Sequence, residues 1–374
     1  MKFETLLGRR HFALAALTLA CLVSACNENR PGTTTGGTTG DTTGGTTGDT
    51  TGGTTGDTTG GTTGGDVQPV PPDKNLLVAF VGDFGTGNNP MEVYRLIRQE
   101  GADFAIFLGD YDYKHNPKLW VREVERGLGA DFPIFGVVGN HDTRKWSSYQ
   151  AYFERRLDKI AGANCQGDLG VDSTCTYRGL HFILSGIGVT GSRSRHERSI
   201  TAALDKDADT HLWNLCIWHA NQRDFQAGDK RDQVGWRAFQ QCQEAGAPVF
   251  MAHEHSYSRT RVMTDIGNAR AGHGAVGEPD ALEIGPGRTF TVVSGLGGKS
   301  IRDYEESLHD DDTWWATLYT GNYYRRNGEE VQKFKPRYGA LFVRFNVDGD
   351  AKQAQGYFKN VRGEVIDTFE IAHQ

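Results

Sequence analysis

The chain has 374 residues and a formal net charge of −7, with acidic and basic side chains interspersed. That balance, with no basic stripe, excludes nucleic acid as an expected partner, and an anionic ligand would need a local positive centre such as bound metal. Residues 32–65 contain only Gly, Thr and Asp. With no apolar side chain to bury, such a stretch cannot offset the entropy cost of ordering, so the folded part is expected from about residue 76 to the end.

In chain order, Lys2, Arg9 and Arg10 precede an apolar run over residues 12–23. This reads as an export signal too short to cross a bilayer comfortably. Val23-Ser24-Ala25-Cys26 resembles a bacterial lipobox, which implies that Cys26 is lipidated and becomes the mature N-terminus. Arg9-Arg10-His11-Phe12 also resembles a twin-arginine signal, leaving the export route open. The expected organisation is a signal peptide at residues 1–25, lipidated Cys26 and a Gly/Thr/Asp linker at residues 26–75, and one domain at residues 76–374. The linker would reach roughly 40 Å as a flexible coil. An exported, lipid-anchored protein of the cell envelope is expected, with the membrane as a partner through Cys26 and no protein partner evident. Cys165 and Cys175 flank a polar loop and are expected to pair outside the cytoplasm. For Cys216 and Cys242, buried thiols and a second bridge are both open.

The first half alternates predicted strands (residues 76–81, 104–108 and 134–138) with amphipathic helices (91–98, 119–128 and 149–160). That alternation indicates a largely parallel, covered sheet. Residues 174–178 and 181–187 read as antiparallel strands around a turn at Gly179. Strand 212–218, helix 233–244 and strand 248–252 follow. Short strands dominate afterwards, at residues 261–264, 289–294, 340–346, 355–360 and 365–371. The pattern predicts an α/β fold of two facing mixed β-sheets flanked by helices. Residues 303–337, with Trp314, Trp315, Tyr319, Tyr323 and Tyr324, fit no simple element and read as a functional loop. Asp310-Asp311-Asp312 reads as a solvated turn.

Ligand-type residues sit at the ends of five predicted strands: Gly82-Asp83-Phe84-Gly85, Gly109-Asp110-Tyr111-Asp112-Tyr113, Gly139-Asn140-His141-Asp142, His219-Ala220-Asn221, and His253-Glu254-His255. One such cluster is usually a turn or a cap. Five at successive strand ends point to one place, because ligands of open α/β sheets bind beyond the carboxyl ends of strands. Two adjacent cations need anionic oxygens and neutral imidazoles, and one carboxylate must bridge them. Paired ions at ~3.5–4 Å are the recurring site of in-line phosphoryl displacement. No strand-end Ser or Cys offers a nucleophile, so water is the expected attacker.

The order GDxG, GDxxY, GNHD, a lone His, then HxH resembles the purple acid phosphatases, a branch of the calcineurin-like metallophosphoesterases. Ala252-His253-Glu254-His255-Ser256-Tyr257-Ser258-Arg259 is similar to that branch's final motif, with Ala252 where Gly is usual. Ser294-Gly295-Leu296-Gly297-Gly298 resembles its closing segment. The resemblance implies a first metal on Asp83, Asp110, Tyr113 and His255, and a second on Asp110, Asn140, His219 and His253. It also implies His141 as general acid, oriented by Asp142. Gly85 stands where the wider superfamily places a metal-binding His, and Tyr113 where this branch places a phenolate. That implies Fe(III) at the Tyr113 site, with Fe(II), Zn or Mn at the second.

The implied activity is hydrolysis of phosphate monoesters. A phosphodiesterase or phospholipase on the same scaffold is the alternative, and a non-catalytic surface lipoprotein is a third reading. The segment after the lone His, Asn221-Gln222-Arg223-Asp224-Phe225, lacks the histidines expected near a substrate phosphate. Asn221, Arg223 and His115 are the candidate replacements, each otherwise a solvated loop residue. His181, His196, His211, His273, His309 and His373 show no ligand spacing and read as structural.

Overall fold

The computed structural model describes residues 68–207, 210–309 and 311–374. The expected signal peptide, Cys26 and nearly all of the linker lie outside these residues, as does Asp310.

The amino-terminal half alternates strand and helix: β1 (Leu76–Val81), α1 (Asn88–Gln99), β2 (Phe104–Phe107), α2 (Pro117–Leu128), β3 (Ile134–Gly136) and α3 (Trp146–Leu157). Three antiparallel strands follow, β4 (Asn164–Asp168), β5 (Asp172–Tyr177) and β6 (Leu180–Ser185). Next come α4 (Arg193–Asp207), β7 (Trp213–Trp218), α5 (Arg237–Glu244) and β8 (Val249–Met251). The remainder begins with β9 (Tyr257–Thr260), β10 (Val262–Met263), β11 (Ala275–Val276), β12 (Ala281–Ile284) and β13 (Thr291–Ser294). It continues through α6 (Glu306–His309), β14 (Trp315–Tyr319), β15 (Tyr324–Arg326) and β16 (Glu329–Glu330). It closes with β17 (Gly339–Val347), β18 (Asp350–Asn360) and β19 (Val365–His373).

One sheet has seven strands in the order β12-β19-β18-β17-β1-β2-β3, and the other ten in the order β16-β15-β14-β9-β13-β8-β7-β6-β5-β4. Both are mixed: β1, β2 and β3 run parallel, as do β6, β7, β8 and β13, and the edge strand β12 runs parallel to β19, while the remaining strands pair antiparallel. The sheets face each other across a shared core, where Phe80 of β1 stacks on Phe250 of β8 at 4.2 Å between ring centroids. Strands β1 and β2 are buried at every position, as covering on both faces demands, and their sequences are continuous apolar runs. Helices lie on the outside. Helix α2 starts at Pro117, with Asn116 accepting from the Leu119 N–H, the usual first-turn chemistry. A second core of Ile200, Leu204, Trp218 and Phe239 sits between β7, α4 and α5. Among the described residues no helix is long and apolar enough to cross a membrane.

The two-sheet sandwich expected from the sequence is the fold observed. Helix α4 and the edge strands β4 and β12 were not expected. The stretch at 303–337 is not one loop but contains α6, β14, β15 and β16, and Trp315 and Tyr319 are buried in the second sheet. Its aromatics pack as core. Asp312 is no solvated turn residue either: it is buried and accepts from His309 Nδ1 at 2.8 Å and Trp315 Nε1 at 3.2 Å. Both cysteine pairs are bridged, Cys165–Cys175 across β4 and β5, and Cys216–Cys242 between β7 and α5.

A buried ion pair joins the sheets. Arg259 on β9 donates to Asp367 on β19 through Nε at 2.7 Å and a terminal nitrogen at 3.0 Å, with both residues wholly buried. Tyr257 and Thr317 hydroxyls donate to the same carboxylate at 2.7 and 2.9 Å.

Candidate metal centre

Each parallel strand near the sheet junction ends in a tight loop that turns a polar side chain toward the same point. Asp83, Asp110, Tyr113 and His253 adopt positive φ, at 60°, 57°, 56° and 67°. Left-handed backbone at non-glycine residues costs energy and concentrates at functional sites. Glycines make room: a Cβ on Gly139 would lie 2.2 Å from Asp110 Oδ1, and one on Gly109 would lie 2.8 Å from His219 Nδ1.

The loops assemble two adjoining sets of donor atoms. In the first, the Tyr113 hydroxyl donates to Asp83 Oδ1 at 2.7 Å and lies 2.9 Å from His255 Nε2, itself 3.4 Å from Asp83 Oδ1. In the second, His219 Nε2 lies 3.1 Å from Asn140 Oδ1, 3.1 Å from His253 Nδ1 and 3.4 Å from Asp110 Oδ2. Asp110, His219 and His253 form a buried three-donor group whose ligand atoms lie within 4.8 Å of one another. Asp110 also lines one cavity with Tyr113 and His255, so this carboxylate adjoins both sets.

Neighbouring groups fix the imidazoles. His219 Nδ1 pairs with the Leu108 carbonyl at 2.7 Å and His255 Nδ1 with Ser300 Oγ at 2.5 Å. Both Nε2 atoms are thereby left pointing inward, as in second-layer support of metal ligands.

The electrostatics ask for cations. Asp83 Oδ2 is buried with no hydrogen-bond partner among the described residues. Burial would raise the Asp83 pKa, but the charge of His255 and that of His219 hold it well below the usual carboxylate range. Burial likewise opposes a charge on His219, yet Asp110 overrides it and lifts the pKa to about 9. Burial and the charges of His219 and Lys230 hold His253 down to about 2. Burial, then the charges of Asp83 and Asp110, raise the Tyr113 pKa well above the phenol range. The buried carboxylates call for positive charge beside them, and a phenolate at Tyr113 requires a strong Lewis acid there. Buried carboxylates, imidazoles and an amide oxygen in two contiguous sets fit a dimetal centre.

All seven residues expected as metal ligands are brought together. His141 is exposed at the rim with its ring against Tyr113, 4.4 Å between centroids. Asp142 corrects the sequence reading. Its buried carboxylate accepts from the backbone N–H groups of Asp110 at 2.7 Å, Gly139 at 2.8 Å and Tyr111 at 3.0 Å. It ties the β2 and β3 loops together and makes no hydrogen bond to His141.

A cavity of about 440 Å³ opens over the ligands, and none of Asn221, Arg223 and His115 lines it. Asn221 is wholly buried, and Arg223 lines a separate cavity with Arg270 and Asp311. The His115 N–H is turned toward Asp112. The cavity wall instead carries Lys230, Lys299, Ser300 and Arg302. Lys299 Nζ sits over the Tyr113 ring at 4.7 Å from its centroid. Sequence reasoning missed these cations. The only signals were Lys230 in the loop after the lone His and Lys299 directly after the Ser-Gly-Leu-Gly-Gly segment.

Two mixed sheets meeting at paired carboxylate–imidazole donor sets are the architecture of a dimetal hydrolase. The chain belongs to the calcineurin-like phosphoesterase family, whose profile matches residues 71–257, and membership implies a dimetal centre and action on phosphate esters. No match is found among curated protein sequences. Among solved structures, the chain is similar to purple acid phosphatase PPD1 from yellow lupin (Lupinus luteus) seeds, with a TM-score of 0.61 and 14% identity. That match covers 82% of this chain and 55% of the lupin chain, so this chain spans little more than half of that relative. It is also similar to GAP50, the anchor in the inner membrane complex of Plasmodium, with a TM-score of 0.50 and 12% identity over 80% of this chain and 89% of that one. At these identities the likeness is one of fold.

Proposed function

We propose that the chain hydrolyses phosphate monoesters at a dinuclear centre, with Fe(III) on the Tyr113 side and Fe(II), Zn or Mn on the other. The observation that carries this reading is the contiguity of the two donor sets at Asp110, with the Tyr113 hydroxyl inside the first. Asp83, Tyr113 and His255 would hold one ion, Asn140, His219 and His253 the other, and Asp110 both. Bound ions would supply an activated water and a polarised phosphoryl group. Leu108 and Ser300 keep the imidazoles oriented. His141, exposed beside Tyr113, would give a proton to the leaving oxygen.

The aromatic stretch at residues 303–337, read from the sequence as a functional loop, is packed into the second sheet, which favours a monoester over a lipid substrate. GAP50 is described as an anchor, but the complete ligand set here supports catalysis. Two disulfides support an oxidising compartment, in keeping with export and a lipid anchor at Cys26.

The test combines metal analysis, a visible spectrum and turnover of chromogenic mono- and diesters. One iron per chain, a violet band, preference for the monoester and loss of turnover in Asp110→Asn are expected. A colourless dimanganese or dizinc protein would sink the iron assignment. Undiminished turnover in Asp110→Asn would sink the site.

A further inference from the structure

Between the metal-facing histidines His253 and His255 lies Glu254, whose carboxylate is wholly buried yet accepts no hydrogen bond from any described residue. A buried carboxylate without hydrogen bonds is costly. Its nearest cations are Lys230, with Nζ 3.8 Å from Oε2, and Arg302, with Nε 4.0 Å from Oε1. The packing around it is close. A Cβ on Gly228 would come within 2.8 Å of Glu254 Oε1.

The two cations are tied to the same three residues a second time. Lys230 Nζ donates to the His253 carbonyl, and the Arg302 backbone N–H donates to the His255 carbonyl at 2.9 Å. Both side chains then line the cavity that also exposes Asp110, Asn140 and His141, while Glu254 does not line it. Lys230 lines this cavity beside Asp110, His253 and His255, which places it next to the metal-facing residues.

One carboxylate behind two cations leaves a net positive charge on the cavity side. The only acid among the cavity's lining residues is Asp110, a metal ligand. A phosphate dianion above the metals would meet a lysine and an arginine, the side chains best suited to grip its free oxygens.

We propose that Lys230 and Arg302 bind the substrate phosphate, and that Glu254 is the positioning residue that sets them on the cavity wall. The proposal rests on the phosphoesterase reading and identifies which side chains hold the substrate's phosphate at that site.

The experiment uses the metal-loaded full chain, with inorganic phosphate as the probe in calorimetry and as a competitive inhibitor. Lys230→Ala and Arg302→Ala should each weaken phosphate binding by about tenfold or more. Glu254→Gln should weaken it in the same direction although it touches no phosphate, with KM for a chromogenic monoester rising more than kcat falls. Because Glu254 acts through the cations, adding Glu254→Gln to the Lys230→Ala/Arg302→Ala double variant should cost little more. Glu254→Asp should restore part of the loss.

Wild-type phosphate affinity in Glu254→Gln, or an effect that multiplies fully with the double variant, would overturn the positioning role. So would loss of metal from Glu254→Gln, which would make it a prop for the histidines instead. A wild-type chain that turns over esters while Lys230→Ala and Arg302→Ala bind phosphate normally would overturn the clamp alone. A chain that binds phosphate through these cations yet cleaves no ester would overturn the proposed reaction and leave the clamp standing.

Discussion

Three backbone N–H groups converge on the Asp142 carboxylate, and the loops they belong to carry Asp110 and Asn140. Asp142→Asn would turn one acceptor into a donor facing those amides. A cost of about 1–3 kcal/mol in stability is expected for the buried group left unsatisfied. Metal affinity should fall by about ten- to a hundredfold, as for other supporting groups behind a metal site. Chemical melts and metal titrations would measure both. The pH profile of turnover should keep its shape, whereas an orienter of His141 would shift it. Tyr113→Phe is a second test at this scale: it should abolish any iron–phenolate band while leaving the fold intact by circular dichroism. The convergence of the seven candidate ligands was legible because each motif needed only its own strand end to be recognised. Lys230, Lys299 and Arg302 were not, because surface-type cations carry no periodic or spacing signal. Only the packing of two remote loops brings them to one cavity. Asp142 was misread for a related reason: its partners are backbone amides, which sequence does not mark.

At the scale of elements, the Arg259–Asp367 pair pins β9 to β19 and so one sheet to the other. Burial raises the Asp367 pKa, but the Arg259 charge and its hydrogen bonds outweigh that and hold it below the usual carboxylate range. A folded-state pKa below the unfolded one means that the unfolded chain binds more protons. The contribution is therefore complete above the ordinary aspartate pKa near ~4 and is lost as pH falls through the folded value. Asp367→Asn should cost about 3–5 kcal/mol near neutral pH by leaving Arg259 buried and unpaired. Its melting temperature should also decline less steeply than the wild type's below about pH 4, which thermal melts across pH would show. Strands β1, β2 and β3 were readable as apolar runs bounded by glycine motifs. The 303–337 stretch was not. Its strands are short, β14 is buried at every position and shows no alternation, and tertiary contacts alone turn its aromatics inward.

For the whole molecule, the two bridges are the covalent part of the stability. Cys216 and Cys242 are 26 residues apart and Cys165 and Cys175 are 10 apart, which by loop entropy corresponds to about 3.5 and 2.7 kcal/mol. Serine pairs at each should lower stability in that order in denaturant melts, with the larger loss at the bridge between β7 and α5. The sandwich was legible because strand–helix alternation and strand-end motifs agree. The pairing of Cys216 with Cys242 was not, since a strand cysteine and a helix cysteine meet only through the way α5 lies on the sheet. The position of β1 carries a further consequence. It lies between β2 and β17, with Leu76 opposite Phe345, so the earliest strand waits for one of the last to be synthesised. Until β17 is made, β1 has an open edge, and such non-local closure is slow. Closure of the sheet that carries Asp83 therefore depends on a strand far along the chain.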